Sequence, residues 1–292
     1  MMRKIPKYVE PLFRPPAEAN SLIFQVAHGC PHNSCRFCGM YKGVRYHERP
    51  EDEVLREFAA VAASCPDETR IFLADGDVMH LPFERLRKYL ETLNRCFPAL
   101  ARVNSYANAS SILSKTQEQL QELRRLKLNT LYLGLESGSS TVLDMVKKQE
   151  TPQSMIEAVQ LAQSCGFTCS VMILLGLGGK KYRDEHITRT IEVLNAMQPR
   201  LLSALRFIPV PNTVMPNEYA EVSEHEGVDE LCQIIAGLEL RRTVFRSNHS
   251  SNPVPLAGRF PADKTKMLSE LDFLLKSNRL DRSGPGMKPL YL

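Results

Sequence analysis

Residues 29–41 read GCPHNSCRFCGMY, and this stretch holds the densest chemistry in the chain. Cys30, Cys35 and Cys38 stand at C-x4-C-x2-C spacing, close enough for one loop to wrap a metal centre. Thiolates are the usual ligands of iron–sulfur clusters. Three of them on a four-iron cluster leave one iron open to a small molecule. A zinc site built from the same cysteines with His28, His32 or His47 is the chemical alternative, because three cysteines and a histidine are a common structural set. A disulfide with one spare thiol is disfavoured in a reducing compartment.

The remaining five of the eight cysteines are scattered at Cys65, Cys96, Cys165, Cys169 and Cys232. We read Cys65, Cys96, Cys165 and Cys169 as buried apolar thiols. Cys165 and Cys169 flank a Gly-Phe turn and face different ways, which argues against a shared metal.

The elements that must position the cysteine loop follow a repeating pattern. Apolar runs at 21–28, 69–74, 101–107, 130–135, 168–175 and 200–208 read as strands. Helix-like spacing follows at 51–64, 83–96, 116–126 (with Thr116 as N-cap), 140–146, 152–164 and 183–197. Such alternation predicts a parallel sheet with helices outside it. Strands buried on both faces are apolar throughout rather than alternating. Six units are too few for an eight-stranded barrel, so the expected fold is α/β, a partial (β/α)6 TIM-like barrel with a C-terminal helical extension. Polar and glycine residues follow the strands at the end where such barrels place their chemistry. They are His28-Gly29, Asp75-Gly76-Asp77, Ser105-Tyr106-Ala107-Asn108, Glu136-Ser137-Gly138 and Gly176-Leu177-Gly178-Gly179.

Past Pro209 the texture changes. Helices are expected near 228–242 and 262–276, with a polar stretch at 246–253 between them and loose chain in the last ten residues. The expected organisation is a lead-in (1–20), a core barrel (21–209) and an extension packing on it (210–292). The chain has 292 residues, 43 % of them hydrophobic, enough to bury a sizeable core. A net charge of +4, from 37 basic and 33 acidic residues, shows no basic stripe, so nucleic acid is not an expected partner. The longest apolar run, 171–177, is far short of a membrane span, and residues 1–16 carry no apolar core of signal-peptide length. The chain reads as cytoplasmic.

The cysteine loop resembles the signature of the radical S-adenosylmethionine (radical SAM) superfamily, with one extra residue between the first two cysteines and Phe37 at the aromatic position before the last. Later segments resemble that superfamily's cofactor contacts in order, in the branch of oxygen-independent coproporphyrinogen oxidases and methylthiotransferases. Asp75-Gly76-Asp77 resembles the Gly-Gly-Glu type motif whose backbone holds the ligand's amino group, with Asp75 in place of the first glycine. Asn104-Ser105 matches the position that contacts the ribose or methionyl part. Leu133-Gly134-Leu135-Glu136-Ser137-Gly138-Ser139 is similar to the strand-four segment in which a residue at Glu136 faces the cofactor. Lys148 matches a basic residue that pairs with the methionyl carboxylate. Gly176 ends a strand that resembles the adenine support. Read alone, the Asp-Gly pair is an ordinary turn, and Lys147 and Lys148 are solvated helix-end charges.

The resemblance implies a [4Fe–4S] cluster on Cys30, Cys35 and Cys38, with S-adenosylmethionine at the fourth iron. One-electron reduction then cleaves the sulfonium to methionine and a 5′-deoxyadenosyl radical, which takes hydrogen from a substrate. It also implies a one-electron donor of flavodoxin or ferredoxin type. Tyr106, Asn108, Arg206, His249 and Asn252 are the candidate substrate-side residues. Arg206, if inward, would bind an anionic small molecule; otherwise it snorkels at a sheet edge. His249 could move a proton near neutral pH or simply order its loop. Two rivals remain. An electron-transfer or redox-sensing iron–sulfur protein would not need the glycine and carboxylate motifs. A zinc-stabilised binding module would be colourless and have no affinity for adenosylmethionine.

Overall fold

A computed structural model describes residue 6 and residues 8–288. Part of the expected lead-in (1–5 and 7) and the last four residues of the expected loose C-terminus lie outside the described residues. Among the described residues the main sheet has eight strands, is mostly parallel and is not closed. The chain divides into two compact units.

The first unit comprises the chain up to Asn33, Met40–Leu133 and Leu161–Cys169. Strand β1 (Leu22–Gln25) is followed by two short strands, β2 (Ala27–His28) and β3 (His47–Glu48). The run at 21–28 is thus not one strand. The chain leaves the main sheet at Val26, and β2 pairs antiparallel with β3, Ala27 opposite Glu48 and His28 opposite His47. This two-rung stem closes the ends of the loop that carries the cysteines. Helix α1 (Glu51–Ala62) starts with three acidic residues, Glu51, Asp52 and Glu53, where the helix dipole favours negative charge.

Strand β4 (Arg70–Ala74), helix α2 (Phe83–Cys96), strand β5 (Arg102–Tyr106), the short helix α3 (Ala109–Leu113) and helix α4 (Gln117–Arg125) follow. Thr116 does cap α4, in a reciprocal capping box with Gln119. Strand β6 is Leu128–Glu136. β1, β4, β5 and the first half of β6 pair in parallel, so their C-terminal ends share one edge of the sheet.

Strand alternation separates two faces here. Phe24 points to the helical side, where its ring meets Phe58 at 4.7 Å, and Phe58 meets Tyr89 at 5.7 Å. All three are fully buried. The other face, with Ile23, Phe72 and Tyr132, also carries a polar network. Asn104 and Tyr132 both donate to Glu18 Oε1, at 2.8 and 2.5 Å, and Ser21 donates to Oε2 at 2.6 Å. A residue of the lead-in thereby stitches two strands together.

The second unit comprises Ser34–Gly39, Gly134–Gln160 and the chain from Ser170 onward. It holds helix α5 (Ser140–Met145), most of α6 (Pro152–Ser164), most of strand β7 (Thr168–Leu175), helix α7 (Arg183–Met197) and strand β8 (Leu201–Arg206). Helix α8 (Glu224–Gly237) has its own capping box, Ser223 with Glu226. The sequence reading places only helices beyond residue 209, and the structure adds strands β9 (Thr243–Ser247) and β10 (Leu256–Phe260) ahead of helix α9 (Lys264–Lys276). β9 pairs parallel with β8, and β10 pairs antiparallel with β9. The segment TVFRS has the β-branched and aromatic content of a strand, so the first residues of the 246–253 stretch belong to β9 rather than to a loop. Cys165 and Cys169 are buried, whereas Cys65 and Cys96 are partly exposed. The latter two sit at or just past the ends of α1 and α2, where helices reach the surface.

Candidate active site

In the first unit the polar residues gather at the C-terminal ends of β2, β4 and β5. Gly29, with φ at +77°, turns the chain into Cys30. Gly76 lies against that cysteine: a Cβ on Gly76 would stand 2.6 Å from Cys30 Cβ and 3.1 Å from its Sγ. Only glycine allows that approach. The Gly76 amide donates to the Gly29 carbonyl at 3.1 Å, which fixes the contact from the backbone.

Asp75 is buried and tethers the loop. Its Oδ2 accepts from the Gly29 amide at 3.4 Å and from Gln25 at 3.2 Å, and its Oδ1 accepts from the Tyr41 hydroxyl at 3.3 Å. Burial pushes its carboxyl up to about 7, against the pull of these donors. Tyr41 is buried as well, and burial followed by the Asp75 charge drives its phenol above the ordinary range. Asp75 thus grips residues just before Cys30 and just after Cys38.

Asp77 takes a hydrogen bond from Ser111 at 2.5 Å and lies 3.1 Å from His32 Nε2, both through Oδ2. Asn104 is committed to Glu18 and to the Thr130 amide. Ser105 is on the helical face of β5, fully buried, and its hydroxyl lacks a hydrogen-bond partner. Tyr106 is on the opposite face, edge-on to Phe72 at 5.3 Å. Asn108 precedes α3 without using its side chain as a cap.

In the second unit, Cys35 is buried and Cys38 partly exposed. Their segment is fastened to the end of α5: the Arg36 amide donates to the Val146 carbonyl at 2.8 Å. Phe37 packs against the cluster of Val142, Val146, Leu177 and Phe207, so its ring anchors the loop.

Glu136 and Lys148, singled out separately from the sequence, are partners. Lys148 Nζ lies 3.7 Å from Glu136 Oε1, and both side chains are more than nine-tenths buried. Burial raises the Glu136 carboxyl, and Lys148 pulls it back down. Glu136 has a φ of +63°, and its carboxylate folds back over Gly134, where a Cβ would be only 1.8 Å from Oε1. Lys148 arrives through a helix stop. Lys147 is left-handed (φ +54°), and the Lys148 amide donates to the Leu143 carbonyl at 2.9 Å, closing a Schellman turn after α5. The helix-end reading therefore holds for Lys147, which is exposed, and not for Lys148.

Gly176 (φ +80°) has both backbone groups engaged: its amide donates to Glu230 at 2.7 Å and its carbonyl accepts from Tyr219 at 2.9 Å. Glu230 Oε1 is also 3.2 Å from His186 Nε2, and His186 Nδ1 shares a 2.7 Å hydrogen bond with Ser137. These buried groups line up between the turn after Glu136 and the turn at Gly176, with His186 Nε2 close to Glu230 but making no hydrogen bond. Sequence reasoning missed them, because His186 and Glu230 lie within helices and carry no motif.

Arg206 is buried and its guanidinium donates to the Pro285 carbonyl, so the C-terminal segment covers it. His249 Nδ1 accepts from the Ser251 amide at 3.1 Å, and burial holds the ring below the usual histidine range. Its Nε2 is then the protonated nitrogen at neutral pH. Asn252 donates to the Ala204 carbonyl at 2.9 Å, tying the polar loop to β8.

The donor chemistry suits an iron–sulfur cluster. Three thiols share one loop, both flanks of that loop are pinned, and the missing Gly76 side chain leaves the face of Cys30 uncrowded.

Comparison with known proteins agrees. The heme chaperone HemW of Bacillus subtilis is 23 % identical over 195 residues, covering 64 % of this chain and 50 % of HemW. The chain spans half or less of the length of the curated relatives it matches. Among solved structures, coproporphyrinogen III oxidase (HemN) from Escherichia coli, a radical SAM enzyme, superposes with a TM-score of 0.60 at 17 % identity, over 74 % of this chain and 51 % of HemN. The radical S-adenosylmethionine methyltransferase TsrM from Kitasatospora setae, solved with cobalamin and a [4Fe–4S] cluster, gives a TM-score of 0.54 at 16 % identity, over 80 % and 42 % of the two chains. At such identities these structures speak for the fold alone. The family model of the Radical SAM superfamily matches residues 24–194, more than half of the chain, and this protein therefore belongs to that superfamily, whose cofactors are a [4Fe–4S] cluster and S-adenosylmethionine.

Proposed function

We propose that Cys30, Cys35 and Cys38 hold the cluster, and that the protein cleaves S-adenosylmethionine reductively to abstract hydrogen from a small substrate. The observation that carries this reading is the seating of Gly76 on Cys30, which ties the glycine motif after β4 to the cysteine loop. When bound, the cluster supplies the electron that breaks the sulfonium carbon–sulfur bond. The protein supplies position and shelter. Asp75 holds the loop through Gly29 and Tyr41. Lys148 stands beyond hydrogen-bonding distance of Glu136, so its ammonium can turn to a ligand carboxylate while Glu136 stays charge-balanced. Gly176 contributes the shape of its turn rather than hydrogen bonds, since its backbone groups are committed.

On the substrate side, Tyr106 offers an aromatic face, Asn108 an amide, and neutral His249 a donor at Nε2. Arg206, released from Pro285, would favour an anionic group. A flavodoxin- or ferredoxin-type protein would deliver the electron.

The test is product analysis of anaerobically reconstituted protein with dithionite and S-adenosylmethionine. Wild type should form 5′-deoxyadenosine and methionine, and Cys35→Ala should form neither. Equal yields from both proteins would sink the assignment.

A further inference from the structure

Within the first unit, three metal-type ligands from two segments meet. His32 follows Cys30 by two positions, and Asp77 and His80 follow β4. One donor atom from each of His32, Asp77 and His80 lies within 4.8 Å of the others. The Asp77 side chain is completely buried. Ser111 and His32 engage its Oδ2, while Oδ1 has no hydrogen-bond partner. A buried carboxylate oxygen without a partner is costly.

A second orphan lies nearby. The Tyr46 hydroxyl is buried without a partner, and its ring stands edge-on to His80 at 5.6 Å. Burial raises the Tyr46 phenol, and the charges of Glu48, Asp77 and Cys30 raise it further, which places those groups within electrostatic reach. Lys115 does not fill the gap. It donates to the carbonyls of Met79 and Ser111.

We propose that His32, Asp77 and His80 form a site for a first-row divalent cation, separate from the cluster thiolates, with Asp77 Oδ1 as the oxygen ligand. Two imidazoles and a carboxylate are a donor set for zinc and its neighbours, and three protein ligands leave a position open to water or a ligand oxygen. The Ser111 hydrogen bond to Oδ2 orients the carboxylate, the usual task of a residue behind a ligand. His80 is exposed, so its ring can close the remaining distance without disturbing the core. The family resemblance gives the backbone of this same motif to the amino group of S-adenosylmethionine. A cation on Asp77 and an ammonium on that backbone would repel each other, so the site should load in protein free of that ligand.

The experiment uses anaerobically reconstituted holoenzyme without S-adenosylmethionine, equilibrated with zinc and desalted. Iron and zinc are counted by plasma mass spectrometry, and the zinc shell is read by K-edge X-ray absorption. The expected result is about one zinc per chain in a nitrogen/oxygen shell with imidazole scattering. His80→Ala should weaken zinc binding by at least about 10-fold at unchanged iron content, and Asp77→Asn should do the same. Absence of retained zinc would overturn the proposal. So would zinc in a sulfur shell that His80→Ala leaves intact, which would mean the metal had entered the cysteine loop. Iron content and 5′-deoxyadenosine yield, measured in parallel, report on the cluster independently.

Discussion

Two buried carboxylates, one in each unit, show different ways to keep an acid out of water. Asp75 in the first unit is surrounded by neutral donors: an amide side chain, a backbone N–H and a phenol. Glu136 in the second is paired with an ammonium. Burial raises both acids, but the consequences differ. Neutral donors give fixed hydrogen bonds, so Asp75 is a strut whose purpose is the loop it holds. An ion pair at 3.7 Å is a charge balance that a ligand can re-partition. The adjacent glycines differ in the same way. Gly76 makes room for a cysteine's main chain and Cβ, which cannot move aside, whereas Gly134 makes room for the mobile end of a side chain.

The sharpest way to break this comparison is to add the same methyl at both glycines. Gly76→Ala should cut the iron content of reconstituted protein by about an order of magnitude, because the new Cβ meets Cys30 itself. Gly134→Ala should retain the iron and lose affinity for S-adenosylmethionine by about 10-fold, since its Cβ would displace the Glu136 carboxylate and stand 3.4 Å from Lys148 Nζ. Equal iron loss in both variants would erase the distinction. Iron assay and equilibrium dialysis decide.

Removing one partner of the ion pair comes next. Lys148→Ala leaves Glu136 buried and uncompensated and should cost about 3 kcal/mol in urea unfolding. Lys147→Ala, on an exposed side chain, should fall within about 0.5 kcal/mol of wild type. A similar cost for both would mean that the pair is not sheltered from solvent.

Asp75 makes a prediction about pH. Its folded-state pKa of about 7 lies above its ordinary value of 3.8. The folded protein therefore binds the proton more tightly than the unfolded chain, and stability is lost as pH rises from about 4 through 7. Unfolding curves from pH 5 to pH 8 should show wild type losing on the order of 2 kcal/mol relative to Asp75→Asn. A flat difference would mean that Asp75 stays ionised throughout, like a paired acid. The smallest effect belongs to Lys147→Gly, which relieves a left-handed residue at a helix stop and should stabilise by about 0.5 kcal/mol, seen as a small rise in Tm.

Much of the architecture was legible because local physics encodes it. Each strand–helix unit carries its own apolar runs and breaks, and Thr116 declares its cap three residues before Gln119. The strands after residue 209 were missed, since β9 is only five residues long and its strand-like composition becomes decisive only with its pairing to β8 and β10. At the site, the residues were legible one by one and their partnerships were not. Glu136 and Lys148 stood out separately, but nothing in their spacing says that they share a charge.

The amino-acid sequence by itself determined the cysteine spacing, the order of strands and helices, and the glycine and carboxylate motifs at the strand ends, all properties of short segments. The tertiary structure alone decided which of those residues are spent on each other. It joined Asp75 to Tyr41, Gly76 to Cys30, and His186 to Ser137 and Glu230. It also brought His32, Asp77 and His80 together. Hydrogen bonds and charge pairs depend on distances of a few ångströms between atoms far apart in the chain. Only the packed sheet and its loops set those distances.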